Sequence, residues 1–238
     1  MRLYVEFPLD ARQERLVPSD AQCHYLIHVM RAKVGDRVSL FNGSDGEWLA
    51  RIATISKRAC ELACEKQIRT LVEEPDIWLC FAPIKKTPAD YVVQKATELG
   101  VSMLQPVFTK RTIVSRVNVQ RMRANAVEAA EQSDRLTVPH IHAPLTLEKL
   151  LAGWQADRVM IFCDEAGGAK PIGQALAKRT EARWAILTGP EGGFDPAERD
   201  MIRAHPFVLP VSLGPRILRA DTAALASLAV LDALKGDW

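Results

Sequence analysis

Apolar and polar residues alternate through the first third of the chain and then give way to longer apolar runs. Residues 2–7 alternate; residues 37–41 run into the turn-forming stretch Asn42-Gly43-Ser44-Asp45-Gly46; residues 47–55 follow as a partner; residues 59–65 alternate again. A period of two predicts half-buried strands, and the Asn-Gly stretch predicts a tight turn between two of them. One helix, over about residues 20–31, interrupts the series. Short strands joined by tight turns predict a small β-barrel. The acidic stretch Val72-Glu73-Glu74-Pro75-Asp76 reads as a linker.

From Ile77 onward the apolar runs have strand length and alternate with helices. The runs are 77–82, 103–108, 159–163, 184–188 and 207–211. The helices are announced by their ends. Thr87 followed by Pro88 predicts an N-cap with proline in the first turn, and Gly100 closes that helix. Asp195-Pro196-Ala197-Glu198 repeats the device with a glutamate at the third position, and Pro206 stops it. A last helix over 223–234 ends before Gly236. This alternation predicts an α/β fold with a mostly parallel sheet covered on both faces, and two domains, 1–72 and 73–238.

Composition narrows the function classes. With 48% hydrophobic and 25% charged residues, disorder and a disulfide scaffold are excluded. No uncharged apolar run approaches the length needed to span a bilayer; the longest candidate, 222–234, contains Asp232. Glu6 and Asp10 interrupt any signal-peptide core in residues 1–16, so a cytoplasmic protein with no membrane association is expected. Five scattered cysteines without a CxxC pair read as reduced thiols. His24 and His28 have helical spacing but no third ligand nearby, so no metal is expected. The net charge of +2 is unevenly spread: residues 1–70 carry +2, 71–84 carry −3, 85–135 carry +4 and 136–238 carry −1. Two basic regions on either side of an acidic connector suit an RNA backbone, and equally a solvated surface.

Two loops are placed to carry chemistry, each following a predicted strand, where open α/β sheets bind ligands. The first is Thr188-Gly189-Pro190-Glu191-Gly192-Gly193-Phe194 and the second Leu213-Gly214-Pro215-Arg216-Ile217-Leu218-Arg219. Neither contains a P-loop lysine or a GxGxxG pattern, and Glu191 would repel a phosphate. A neutral or cationic ligand that reads backbone amides fits better, and S-adenosylmethionine has those properties.

These two loops together resemble the SPOUT-class methyltransferases. Lys95-Ala96-Thr97-Glu98-Leu99-Gly100, Glu131-Gln132-Ser133-Asp134-Arg135 with Pro139, and Val29-Met30-Arg31 with Gly35-Asp36 narrow the resemblance to the family that methylates N3 of a uridine in 16S ribosomal RNA. One departure is Asp221 before Thr222, where a longer carboxylate is expected. The resemblance implies a trefoil-knotted, mostly parallel C-terminal sheet, a PUA-like N-terminal β-barrel, S-adenosylmethionine as cofactor, the small ribosomal subunit as partner, and a homodimer. Ala223, Ala224, Ala226 and Ala229 on the last helix are the candidate close-approach face. The implied cofactor residues are Leu187, Thr188, Gly189, Pro190, Glu191, Gly192, Gly193, Leu213, Gly214, Ile217, Leu218 and Thr222. Arg219 is the candidate for charge stabilisation; Asp221 is a candidate proton acceptor, or an N-cap. Arg31, Lys33, Arg37, Lys85, Lys86, Arg111, Arg135 and Arg216 are the candidate RNA contacts. A non-catalytic RNA-binding assembly factor and a nucleotide-dependent α/β enzyme are the rival readings.

Overall fold

The computed structural model describes residues 1–12, 15–57 and 59–238, and within them leaves out the side chains of Lys86 and Thr87. The chain divides into two compact units. The first is Met1–Glu73 with Ala130–Val138; the second is Glu74–Ala129 with Pro139–Trp238.

In the first unit, β1 (Arg2–Tyr4) pairs parallel with β2 (Arg37–Phe41). β2 and β3 (Glu47–Ile55), then β3 and β4 (Cys60–Arg69), pair antiparallel, giving the order β1-β2-β3-β4. The turn between β2 and β3 forms because the Asn42 side-chain oxygen accepts from the Ser44 and Asp45 amides at 3.0 and 2.8 Å. Leu3, Leu26, Leu40, Ile52 and Leu62 fill the core, nearly inaccessible to solvent. The interrupting helix is shorter than its sequence pattern predicts. α1 (Asp20–His24) starts at a capping box between Ser19 and Gln22, but residues Tyr25–Val29 widen to a π-turn in which the Met30 amide donates to the Tyr25 carbonyl. Arg31 then ends the helix in the left-handed region at φ 53°.

Residues 130–138 join this unit through Arg2. Its guanidinium donates to the carbonyls of Ala130, Glu131 and Arg135 and to the Glu47 carboxylate, and lies 4.5 Å from the Phe41 ring centre. Glu47 is buried, which alone would raise its pKa. Bonds from Ser39, Arg2 and Arg69 outweigh that and hold it below the ordinary carboxylate value.

In the second unit every described strand pairing is parallel. The elements in chain order are β5 (Asp76–Phe81), α2 (Lys86–Glu98), β6 (Met103–Phe108), α3 (Val119–Gln132), β7 (His140–Ile141), β8 (Leu145–Thr146), α4 (Leu147–Ala152), β9 (Val159–Cys163), β10 (Lys170–Pro171), α5 (Ile172–Leu176), β11 (Arg183–Thr188), α6 (Pro196–Arg203), β12 (Val208–Ser212) and α7 (Ala220–Lys235). The sheet order is β10-β12-β9-β11-β5-β6-β7, with β8 also beside β6. β11 and β12 therefore flank β9, although they follow it in the chain. α4 and α6 cover Phe162, Leu187 and Phe194 on one face, while α2 packs on α7. Two predicted caps move. α2 begins at Lys86 with Lys85 as its N-cap, ahead of Thr87. α7 has Arg219 as its N-cap, so Asp221 sits inside the first turn and is not the cap. At the N-terminus of α6 the expected capping box of Asp195 and Glu198 is present.

Candidate active site

Parallel pairing sends the carboxyl ends of β12, β9 and β11 to one edge. The first loop leaves β11 there and the second leaves β12. The end of β9 lies between them, and the Asp164 amide donates to the Val211 carbonyl at 3.0 Å. Asp164 is buried and accepts from the guanidinium Nε atoms of Arg199 (3.1 Å) and Arg203 (2.7 Å), both on α6. Burial pushes its pKa up; the two arginines and the Ala166 amide pull it down further, below the ordinary carboxylate value. This ion cluster anchors the floor between the loops.

The first loop is held from inside by Phe194, 3% exposed, whose ring packs edge-on against Phe162 at 5.2 Å between centres. A Cβ on Gly189 would come 2.7 Å from the Phe194 ring, so only glycine allows that packing. Gly193 has φ +67°, and a Cβ there would meet a Glu165 carboxylate oxygen at 2.3 Å. Glu165, just past β9, is thus part of this site. It was not singled out in the sequence, although a carboxylate at the end of an apolar run in such a sheet is a positional signal. From outside, the segment after β6 is stapled to the loop. The Lys110 amide donates to Glu198 at 2.7 Å, the Lys110 ammonium pairs with Asp195 at 3.3 Å, and the Arg111 guanidinium donates to the Gly192 carbonyl at 3.0 Å.

The Gly193 amide closes the turn onto the Pro190 carbonyl at 2.9 Å. Among the described residues the Glu191 and Gly192 amides have no hydrogen-bond acceptor, and neither do those of Ile217 and Leu218. A glycine cradle with unused amides on one side and an exposed apolar tip on the other fits a ligand with a polar heteroaromatic part. Ile217 is 87% exposed and Leu218 half-buried. Arg216 and Arg219 are exposed and form no ion pair among the described residues. Asp221 accepts from the Thr222 amide at 2.7 Å.

Other expected site residues are distributed differently. Leu187 is fully buried with Phe162, Phe194 and Ile202, so its side chain belongs to the core and cannot flank a ligand. Thr188 and Pro190 are also buried. Leu213 is half-buried, and Gly214 and Thr222 are exposed. Arg135 is only 9% exposed, donates to the Thr137 hydroxyl at 2.9 Å, and sits in the first unit as framework, away from a phosphate-accessible surface. Arg31, Lys33 and Arg37 are exposed on that unit, Arg37 paired with Glu65. Lys85 is exposed, and the Lys86 side chain lies outside the described residues. Ala224 faces the interior of its own chain, while Ala223, Ala226 and Ala229 are half-buried. Burial pushes the Cys60, Cys80 and Cys163 thiols up to about 12 and Cys64 to about 11, so none supplies a thiolate near neutrality. Among the described residues, no group of three or more His, Cys, Asp or Glu is placed to hold a metal ion, and no helix is long and apolar enough to cross a membrane.

Comparison with known proteins fits this geometry. The RNA methyltransferase domain family matches residues 72–232, and the RNA methyltransferase PUA domain family matches residues 18–63. A ribosomal RNA small subunit methyltransferase E from Rickettsia conorii is 31% identical, over 96% of this chain and 93% of that protein. The Synechocystis protein of the same name is 33% identical, over 90% of this chain and 71% of that protein. Among solved structures, a Legionella pneumophila protein described as a methyltransferase in complex with SAM superposes with a TM-score of 0.90 at 28% identity, covering 100% of this chain and 98% of the other. A Neisseria gonorrhoeae ribosomal RNA small subunit methyltransferase E bound to S-adenosyl methionine gives 0.88 at 26% identity, with the same coverage. A PUA-like unit, a parallel sheet and two loops on one edge of that sheet converge with these matches on one conclusion: this chain belongs to the ribosomal RNA small subunit methyltransferase E family of RNA methyltransferases.

Proposed function

We propose that this chain methylates N3 of a uridine in the 16S ribosomal RNA of the small subunit, using S-adenosylmethionine. The observation that carries the reading is the pairing of the two loops on either side of β9, with free amides on both and no phosphate-binding lysine in either. The relatives bound to S-adenosylmethionine support the choice of ligand. The unused amides of Glu191 and Gly192 in the first loop and of Ile217 and Leu218 in the second hold its adenine and ribose, with the Ile217 and Leu218 side chains as the apolar cover. When bound, it supplies a methyl group on a sulfonium whose sulfur keeps the bonding electrons.

The protein's own task is to orient the uracil and stabilise it as the N3 proton leaves. Negative charge then spreads to the two flanking carbonyl oxygens. Arg219 and Arg216, exposed and without internal ion pairs, are free to meet that charge, and a guanidinium there also makes the proton easier to lose. Asp221 is the candidate acceptor of the proton. Arg31, Lys33, Arg37 and Lys85 offer exposed positive charge for phosphates. The reading includes a homodimer, with α7 as the candidate contact, a knotted path in residues 73–238, and a cytoplasmic location beside the ribosome.

Calorimetry with S-adenosylmethionine, S-adenosylhomocysteine and ATP, followed by single-turnover methylation of small subunits, tests the proposal. Binding of the first two but not ATP, with one methyl transferred to uridine N3, is expected. RNA binding without methyl transfer would leave an assembly factor.

A further inference from the structure

We infer that Arg111 is a positioning residue for the cofactor loop and does not serve as a contact for RNA phosphate. The inference rests on the proposed methyl-donor role of that loop and names the device that shapes it. Gly192-Gly193 is the freest peptide unit in the loop, because neither residue has a side chain to restrict rotation. The structure pins this unit at both ends. The Gly193 amide donates to the Pro190 carbonyl at 2.9 Å, and the Gly192 carbonyl accepts from Arg111 at 3.0 Å. The aliphatic stem of Arg111 also lies along the Gly192 α-carbon: a Cβ built there would touch Arg111 Cβ at 3.6 Å and Cδ at 3.8 Å. Arg111 is itself fixed, since the preceding Lys110 amide donates to Glu198, which is 1% exposed and also closes the capping box of α6.

The consequence is preorganisation. Without Arg111 only the Gly193–Pro190 hydrogen bond holds the Gly192-Gly193 peptide, and binding must restrict the freedom that returns at the expense of affinity. With Arg111 in place, that restriction is met before the ligand arrives, and the unused Glu191 and Gly192 amides keep their directions. The side chain covers the loop from the side of β6, so its effect is on both methylated and demethylated forms of the ligand alike.

The test uses the full chain. Arg111→Ala is expected to weaken binding of both S-adenosylmethionine and S-adenosylhomocysteine by about tenfold in calorimetry, the scale of one charge-assisted hydrogen bond. The KM for the donor should rise while kcat at saturating donor stays close to wild type. Arg111→Lys should recover part of the affinity, because an ammonium can still donate to one carbonyl. The salt dependence of RNA binding should not change. Unchanged cofactor affinity with a salt slope reduced by about one would assign Arg111 to a phosphate and overturn the inference. Unchanged affinity with a lower melting temperature would reduce it to a structural contact and overturn it equally. Failure of the wild-type chain to bind either compound would instead sink the methyl-donor reading itself, and this inference with it.

Discussion

The loop after β11 and the loop after β12 leave the same edge of one parallel sheet, yet they are built on opposite plans. The first is braced from within and from its flanks: Phe194 fills it, Glu165 lies against Gly193, and Arg111 holds Gly192. The second projects Ile217, Arg216 and Arg219 into solvent, with no ion pair among the described residues. The difference teaches a division of labour. A rigid cradle lowers the entropic cost of holding one ligand. An open loop with uncommitted guanidinium groups keeps charge available for a second, larger partner.

Arg219 offers the largest expected effect in breaking this comparison. Arg219→Ala should lower the single-turnover methylation rate by about 100-fold, the scale of one lost oxyanion donor, with little change in cofactor affinity or melting temperature. A stable variant with the wild-type rate would refute the catalytic role. Arg219→Lys should rescue only partly.

Asp164 tests the floor shared by both loops. Asp164→Asn should destabilise the fold by about 2–3 kcal/mol, because two guanidinium groups lose a buried carboxylate. Denaturant unfolding measures this. The pH dependence has a definite sign. The folded-state pKa lies below the ordinary value, so the stabilisation is present above about pH 4 and is lost as pH falls through the folded value. The asparagine variant should show a shallower decline in that acidic range.

Gly193 and Ile217 then separate the two plans. Gly193→Val puts a branched side chain at φ +67° and against Glu165, and should weaken cofactor binding by about tenfold, with a lower melting temperature. Ile217→Ser, at a position 87% exposed, should leave the melting temperature unchanged and weaken cofactor binding by only about threefold. Equal thermal penalties at the two positions would erase the distinction between closed and open loops.

Both loops were legible in the sequence, because glycine, proline and the strands before them are local signals. So was the Asp195–Glu198 capping box, whose bonds lie within four residues. Arg135 and Arg111 were not legible in their true settings. Each is a basic residue in a net-positive segment, and charge counting names the partners of neither: Arg111 is exposed yet bonded to the Gly192 carbonyl. Arg135 is instead buried among residues 130–138 with Arg2, more than 120 residues away in sequence, bonded to its carbonyl. The π-turn after α1 was hidden too, since apolar spacing over 20–31 matches an ordinary helix and gives no sign of a widened turn.

The sequence by itself determined the main strands of each unit, the turn chemistry, the two loops and the family they point to, because these depend on neighbours a few residues apart. Only the tertiary structure decided that β9 runs between β11 and β12, which brings Asp164 and Glu165 between the loops. It alone turned Leu187 into the core and laid Arg111 across Gly192. Strand order and side-chain partners at such separations follow from burying two faces of a sheet at once, and no local pattern encodes that packing.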